Sequence, residues 1–137
     1  MAEEKLFEGR IKKFLHSVGV YPAGYPKDRM TAPLCGWYTK VWGGGVQKAG
    51  IPDLLACING IMVAIEIKGS RGTPSELQKL NISRINQANG IALFLYPEGF
   101  DDFKKIVEGV INCDIHTAAL KHLKSANSST KCAIWME

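Results

Sequence analysis

Residues 51 to 68 read Ile-Pro-Asp-Leu-Leu-Ala-Cys-Ile-Asn-Gly-Ile-Met-Val-Ala-Ile-Glu-Ile-Lys, with Asn59-Gly60 between two apolar runs. Asn-Gly in that setting is a strong hairpin signal, because a type I′ turn needs positive φ at both central residues. With those two residues as the loop, Ile58 faces Ile61, Cys57 faces Met62, Ala56 faces Val63, Leu55 faces Ala64 and Leu54 faces Ile65. Asp53 then lands opposite Glu66, so the hairpin brings two carboxylates together.

Directly opposed residues share a face of the sheet, and side chains alternate along a strand. One face therefore carries Asp53, Glu66 and Lys68, and Ile67 points away. Two unit charges about 5 Å apart repel by about 3 kcal/mol at an effective dielectric near 20, a pairing that stability alone would not select. A divalent cation with hard oxygen ligands, Mg²⁺ or Mn²⁺, meets the need for positive charge between them. The plainer reading makes Asp53, Glu66 and Lys68 solvated residues at an open hairpin end. It fits poorly with the otherwise apolar run from Met62 to Ile67, which reads as a strand covered on both faces.

The 137 residues suit a single domain, 1–137, and 46% hydrophobic with 22% charged residues is ordinary for a globular chain. The formal charge of +4 is mildly basic and permits a nucleic-acid partner without demanding one. The excess lies in residues 1–50, which hold eight Lys and Arg against four Asp and Glu. Lys40 and Lys48 in that third, with Arg71 and Lys79 further on, are candidate DNA contacts; solvated surface positions explain such residues equally well. Cys35, Cys57, Cys113 and Cys132 show no C-x-x-C spacing, so reduced thiols are expected rather than a zinc site or disulfides. No signal pattern and no apolar run of transmembrane length appears, which points to a cytoplasmic protein without a membrane partner.

Along the chain, apolar residues at helical spacing predict a first helix over 3–18, stopped by Gly19. Residues 20–36, rich in Pro, Gly and Lys, read as a long loop or arm, and Gly36 to Trp42 as a first strand. Thr73-Pro74-Ser75-Glu76 supplies an N-cap, a proline at the first helical position and a capping-box glutamate for a helix reaching about Asn89. Asn81 and Arg84 interrupt its apolar stripe. Ile91–Tyr96 reads as a strand and Phe100–Ile111 as a helix; His116–Lys124 suits a short helix, and Lys131–Met136 an edge strand or dimer-forming segment. The order α-β-β-β-α-β-α implies an α/β fold, a mixed β-sheet flanked by helices.

Glu8 in the first helix, Gly50-Ile-Pro-Asp53, Glu66-Ile-Lys68 and Ser75-Glu-Leu-Gln78 together resemble the PD-(D/E)XK nuclease superfamily, most closely its virus-type replication-repair nuclease (VRR-NUC) domains, over roughly residues 4 to 105. Pro-Asp followed by Glu-x-Lys is common; the set with the hairpin register, Gly50 and Gln78 is far more specific. The resemblance implies a restriction-endonuclease-like core and Mg²⁺ (Mn²⁺ as substitute) held by Asp53, Glu66 and the main-chain carbonyl of Ile67. Glu8 would reach the metal directly or through water, Lys68 would assist the attacking water or the developing charge, and Gln78 would stand near the site.

The activity so implied is metal-dependent endonucleolytic hydrolysis of DNA, selective for branched, flap or junction structures in replication, recombination or repair. Phage or bacterial origin and a homodimer are implied in the same way, with Ala133–Met136 as the one direct hint of a dimer. A restriction-like nuclease specific for a sequence or modified base is the alternative enzyme. A catalytically silent DNA-binding module is the alternative outside enzymes. A chain this short has little means of reading base sequence, which favours recognition of shape and backbone.

Overall fold

Asn59 and Gly60 adopt φ of 50° and 81° in a computed structural model of the chain, which describes residues 2–43 and 48–113. On either side of that turn, β3 (Leu54–Ile58) and β4 (Ile61–Ile67) pair antiparallel from Ile58↔Ile61 to Leu54↔Ile65, the register that the Asn-Gly turn predicts. Asp53 stands just beyond the ladder, and its Oδ2 accepts the Ile67 amide proton at 2.9 Å. The Asn59 side chain also donates to the carbonyls of Val110, at 2.9 Å, and Cys113, at 2.7 Å, so the turn residue closes the end of a distant helix.

Five strands form one mixed sheet in the order β1-β2-β3-β4-β5, with β1 (Val20–Pro22) parallel to β2 (Gly36–Lys40) and β4 parallel to β5 (Ile91–Leu95). Helices α1 (Ala2–Ser17) and α3 (Phe100–Ile111) bury Phe7, Ile11, Leu15, Phe103 and Val107 against Leu54, Ala56, Ile58, Val63, Ile65 and Ile67 on one face. Each fully buried side chain of this size contributes about 1.5–3 kcal/mol, which makes this layer the main source of stability. The other face is covered only in part: α2 (Glu76–Gln87) sets Ile82 and Ile85 over Ala64 and Ala92. Alternation along β4 therefore puts Glu66 on the α2 side and Ile67 in the main core.

Three expectations change. The stretch 20–36 is not a free arm: Val20–Pro22 is an edge strand, and a 3₁₀ turn follows over Lys27–Arg29. Tyr21 ties the stretch to itself, since its hydroxyl accepts the Ala32 and Thr31 amides at 2.9 and 3.1 Å. The strand expected over Gly36–Trp42 ends at Lys40. Helix α2 starts later than Thr73-Pro74 suggests, because Ser75 is the cap: its hydroxyl accepts the Gln78 amide, and the Gln78 side chain accepts the Ser75 amide. The capping-box role belongs to Gln78 rather than Glu76. The helix stops at Gln87, with Asn89 at φ 70° and the Gly90 amide bonded back to the Ile85 carbonyl, a Schellman-type end. No helix among the described residues is long and apolar enough to cross a membrane. The expected segments His116–Lys124 and Lys131–Met136 lie outside the described residues.

Candidate active site

Glu66 and Asp53 are the only buried charged residues among those described, 5% and 8% exposed. They meet where β4 leaves the apolar layer and the chain enters β3. Asp53 is fixed on every side: its carbonyl accepts the Val41 amide at 2.8 Å, Oδ2 accepts the Ile67 amide, and Oδ1 accepts Lys48 Nζ. Lys48 reaches it from the turn 48–50, which is pressed against α2. Gly50 in that turn has φ 75°, and a Cβ there would lie 2.5 Å from Leu77 Cγ. Asn81 donates to the Gly50 carbonyl at 2.8 Å, which explains a polar residue within the apolar stripe of α2.

Glu66 has a thinner set of partners. Gln78 Nε2 donates to its Oε2 at 3.2 Å, and Lys68 Nζ stands 3.6 Å from the same oxygen. Oε1 is buried with no hydrogen-bond partner. Burial and the neighbouring Asp53 push the Glu66 carboxyl up to about 7, against the opposing pull of Lys68. Gln78 is the hub of this side: Oε1 accepts both Lys68 Nζ, at 3.0 Å, and the Ser75 amide, at 2.9 Å, while Nε2 serves Glu66. The cap that starts α2 thus orients the amide that positions Lys68 and Glu66.

Lys48, Glu66 and Gln78 open on a cleft of about 370 Å³ bordered also by Gly43, Gly50 and Ser75. A second hollow of about 360 Å³, between Tyr25, Leu34, Trp37 and Cys57, is apolar and contains no carboxylate. Of the two, only the first is bordered by a carboxylate, that of Glu66.

The structure brings Asp53, Glu66, Lys68 and Gln78 together and adds Lys48. Glu8 is elsewhere: it lies on α1, against the opposite face of the sheet, and its carboxylate binds Lys40 and Lys12, each at 2.9 Å. Burial raises the Glu8 carboxyl, but the two lysines outweigh it and leave the pKa lowered. No group of three His, Cys, Asp or Glu side chains is drawn together among the described residues, and the Glu8 carboxylate is occupied by its two lysines. Lys40 is committed to Glu8 and also sits 4.7 Å from the centroid of the exposed Trp42 ring. Arg71 is exposed in the turn after β4, and Lys79 is exposed and paired with Glu76 at 3.1 Å; neither borders the cleft.

From the sequence, Lys48 is a candidate DNA contact or a solvated cation, with no sign of a bond to Asp53. Its reach to Asp53 depends on the left-handed turn at Gly50, and the lone signal for that is the glycine itself. Protein-family models, curated proteins and solved structures yield no match to the chain.

Proposed function

We infer that the protein is a metal-dependent endonuclease that hydrolyses phosphodiester bonds in DNA, with Asp53 and Glu66 holding Mg²⁺ or Mn²⁺ and branched DNA as the substrate. The observation that carries this reading is the buried Asp53–Glu66 pair with one Glu66 oxygen left without a partner. Hard oxygen donors and a buried unpaired oxygen fit a divalent cation, and the Ile67 carbonyl is the main-chain donor that the resemblance adds. When bound, such a metal polarises a phosphoryl oxygen and lowers the pKa of a water.

The chain's own groups do the rest. Asp53 is oriented in advance by the Ile67 amide, so little ordering remains when it takes a ligand. Gln78 fixes Lys68 beside Glu66, where the ammonium stabilises negative charge developing on the phosphate oxygens. The carboxyl of Glu66 must lose its proton to ligate, and a cation lowers the pKa that burial has raised. Lys48 and Ser75 line the cleft as donors toward a phosphodiester. Glu8 is left out of this set; with Lys12 and Lys40 it ties α1 to the sheet.

A panel of flap, fork, four-way junction and linear duplex DNA, incubated with Mg²⁺ or Mn²⁺, tests the reading. Wild type should cut a branched member faster than the duplex, and Asp53→Ala and Lys68→Ala should each lose roughly 10³-fold in rate. No cleavage by wild type, or full cleavage by both variants, sinks it. Equal cutting of linear duplex favours the restriction-like alternative.

A further inference from the structure

Positive charge at Asp53 is already supplied by the chain itself. Lys48 Nζ donates to Asp53 Oδ1 in an ion pair whose side chains are 26% and 12% exposed. The lysine is delivered by a fixed turn rather than by a free loop: the Ile51 amide bonds to the Lys48 carbonyl at 3.0 Å, and Asn81 holds the Gly50 carbonyl at 2.8 Å. Glu66 receives no equivalent neutralisation of Oε1.

We propose that Lys48 is a resident counter-cation that competes with the divalent metal for Asp53, so that metal loading requires its ammonium to leave Oδ1. This rests on the reading of Asp53 and Glu66 as metal ligands. One carboxylate oxygen cannot serve both cations at full strength, and two cations sharing the site repel each other. A displaced Lys48 still borders the cleft, where the phosphate of an incoming strand is the anion that can receive it. Phosphate binding and metal loading then favour each other, since coupling between two ligands is reciprocal. Without nucleic acid, the site holds metal weakly and the lysine keeps Asp53 neutralised.

The test is a calorimetric titration of Mn²⁺ alone into the full chain at low salt, without nucleic acid. Lys48→Met keeps the aliphatic stem and removes the charge; Lys48→Gln is a second neutral variant, and Lys48→Arg keeps the charge. Both neutral variants should bind Mn²⁺ about five- to tenfold more tightly than wild type, the range for removing a partly exposed ion pair and a nearby like charge. Lys48→Arg should stay within about twofold of wild type on the same grounds, and Asp53→Asn should bind nothing. Neutral variants that bind no more tightly than wild type, with binding still lost in Asp53→Asn, overturn the competition alone. Absence of Asp53-dependent binding in wild type and neutral variants alike overturns both the competition and the metal centre.

Discussion

Glu8 and Glu66 are both partly or fully buried glutamates with lysines at hand, on opposite faces of one sheet, yet their carboxyls move in opposite directions. Glu8 has two ammonium groups within 2.9 Å and no acidic neighbour, so it ionises more readily than usual. Glu66 has one lysine at 3.6 Å, a second carboxylate beside it and an oxygen without a partner, so it holds its proton to about 7. Proximity of lysines therefore does not distinguish a structural ion pair from a site in need of a ligand. What distinguishes them is burial and the second carboxylate: Glu8 is the more exposed and has two lysines to itself, whereas Glu66 is buried beside Asp53 with one oxygen unpaired.

The largest effect on stability should come from Glu66. Its folded pKa lies above the ordinary 4.5, so between about 4.5 and 7 the folded chain binds more protons than the unfolded one, and stability from this group falls as pH rises. Glu66→Gln should stabilise the metal-free protein at pH 8 by up to about 3 kcal/mol, the order of the free-energy equivalent of that displacement. Denaturant melts at pH 5 and pH 8 would show it as a loss of the pH slope; an unchanged slope would mean that Glu66 is not strained by its surroundings.

Next in size is Gly50, which seats the Lys48 turn on α2. Gly50→Ala forces a Cβ to 2.5 Å from Leu77 Cγ at φ 75° and should cost about 2 kcal/mol. Because the damage lies on the Glu66 side, thermal melts should drop while the Glu8–Lys40 coupling measured by a double-mutant cycle stays the same. Loss of that coupling would show that the two clusters are not independent.

Glu8→Gln is the smallest change. Lowering of its carboxyl means that stability from Glu8 is present above pH 4.5 and is lost as pH falls through the folded value, opposite in sign to Glu66. The loss at pH 7 should be about 0.5–1 kcal/mol, typical of partly exposed pairs. Urea titration of Glu8→Gln at pH 7 and pH 4 would test both the size and its disappearance in acid.

How far the sequence carries this account differs residue by residue. Asn59-Gly60 and the flanking apolar runs carry the register of β3 and β4, and with it the meeting of Asp53 and Glu66, because a two-residue loop leaves no freedom in pairing. Ile91–Leu95 and Phe100–Ile111 are legible from hydrophobic pattern alone. The edge strand Val20–Pro22 is not, since a three-residue strand is fixed by its pairing with Gly36–Tyr38, sixteen residues on, and by the bonds of the Tyr21 hydroxyl to Thr31 and Ala32. Two helix-cap signals compete at Thr73 to Gln78, and only the reciprocal bonds of Ser75 and Gln78 decide between them. Glu8 illustrates a different limit: helical spacing fixes which residues share its face, but not which face of the sheet that helix covers. Lys48 illustrates a third, because its distance from Asp53 depends on a backbone turn rather than on sequence separation.

In the proposed function, the Glu66 side of the sheet, and not the Glu8 side, is where a metal acts on DNA. Single-turnover cleavage of a branched DNA in saturating Mg²⁺, compared between wild type, Glu66→Gln and Glu8→Gln, addresses it in one measurement. Glu66→Gln should lose roughly 10³-fold and Glu8→Gln less than about threefold. Cleavage that survives Glu66→Gln intact, or that fails equally in both variants, would contradict it.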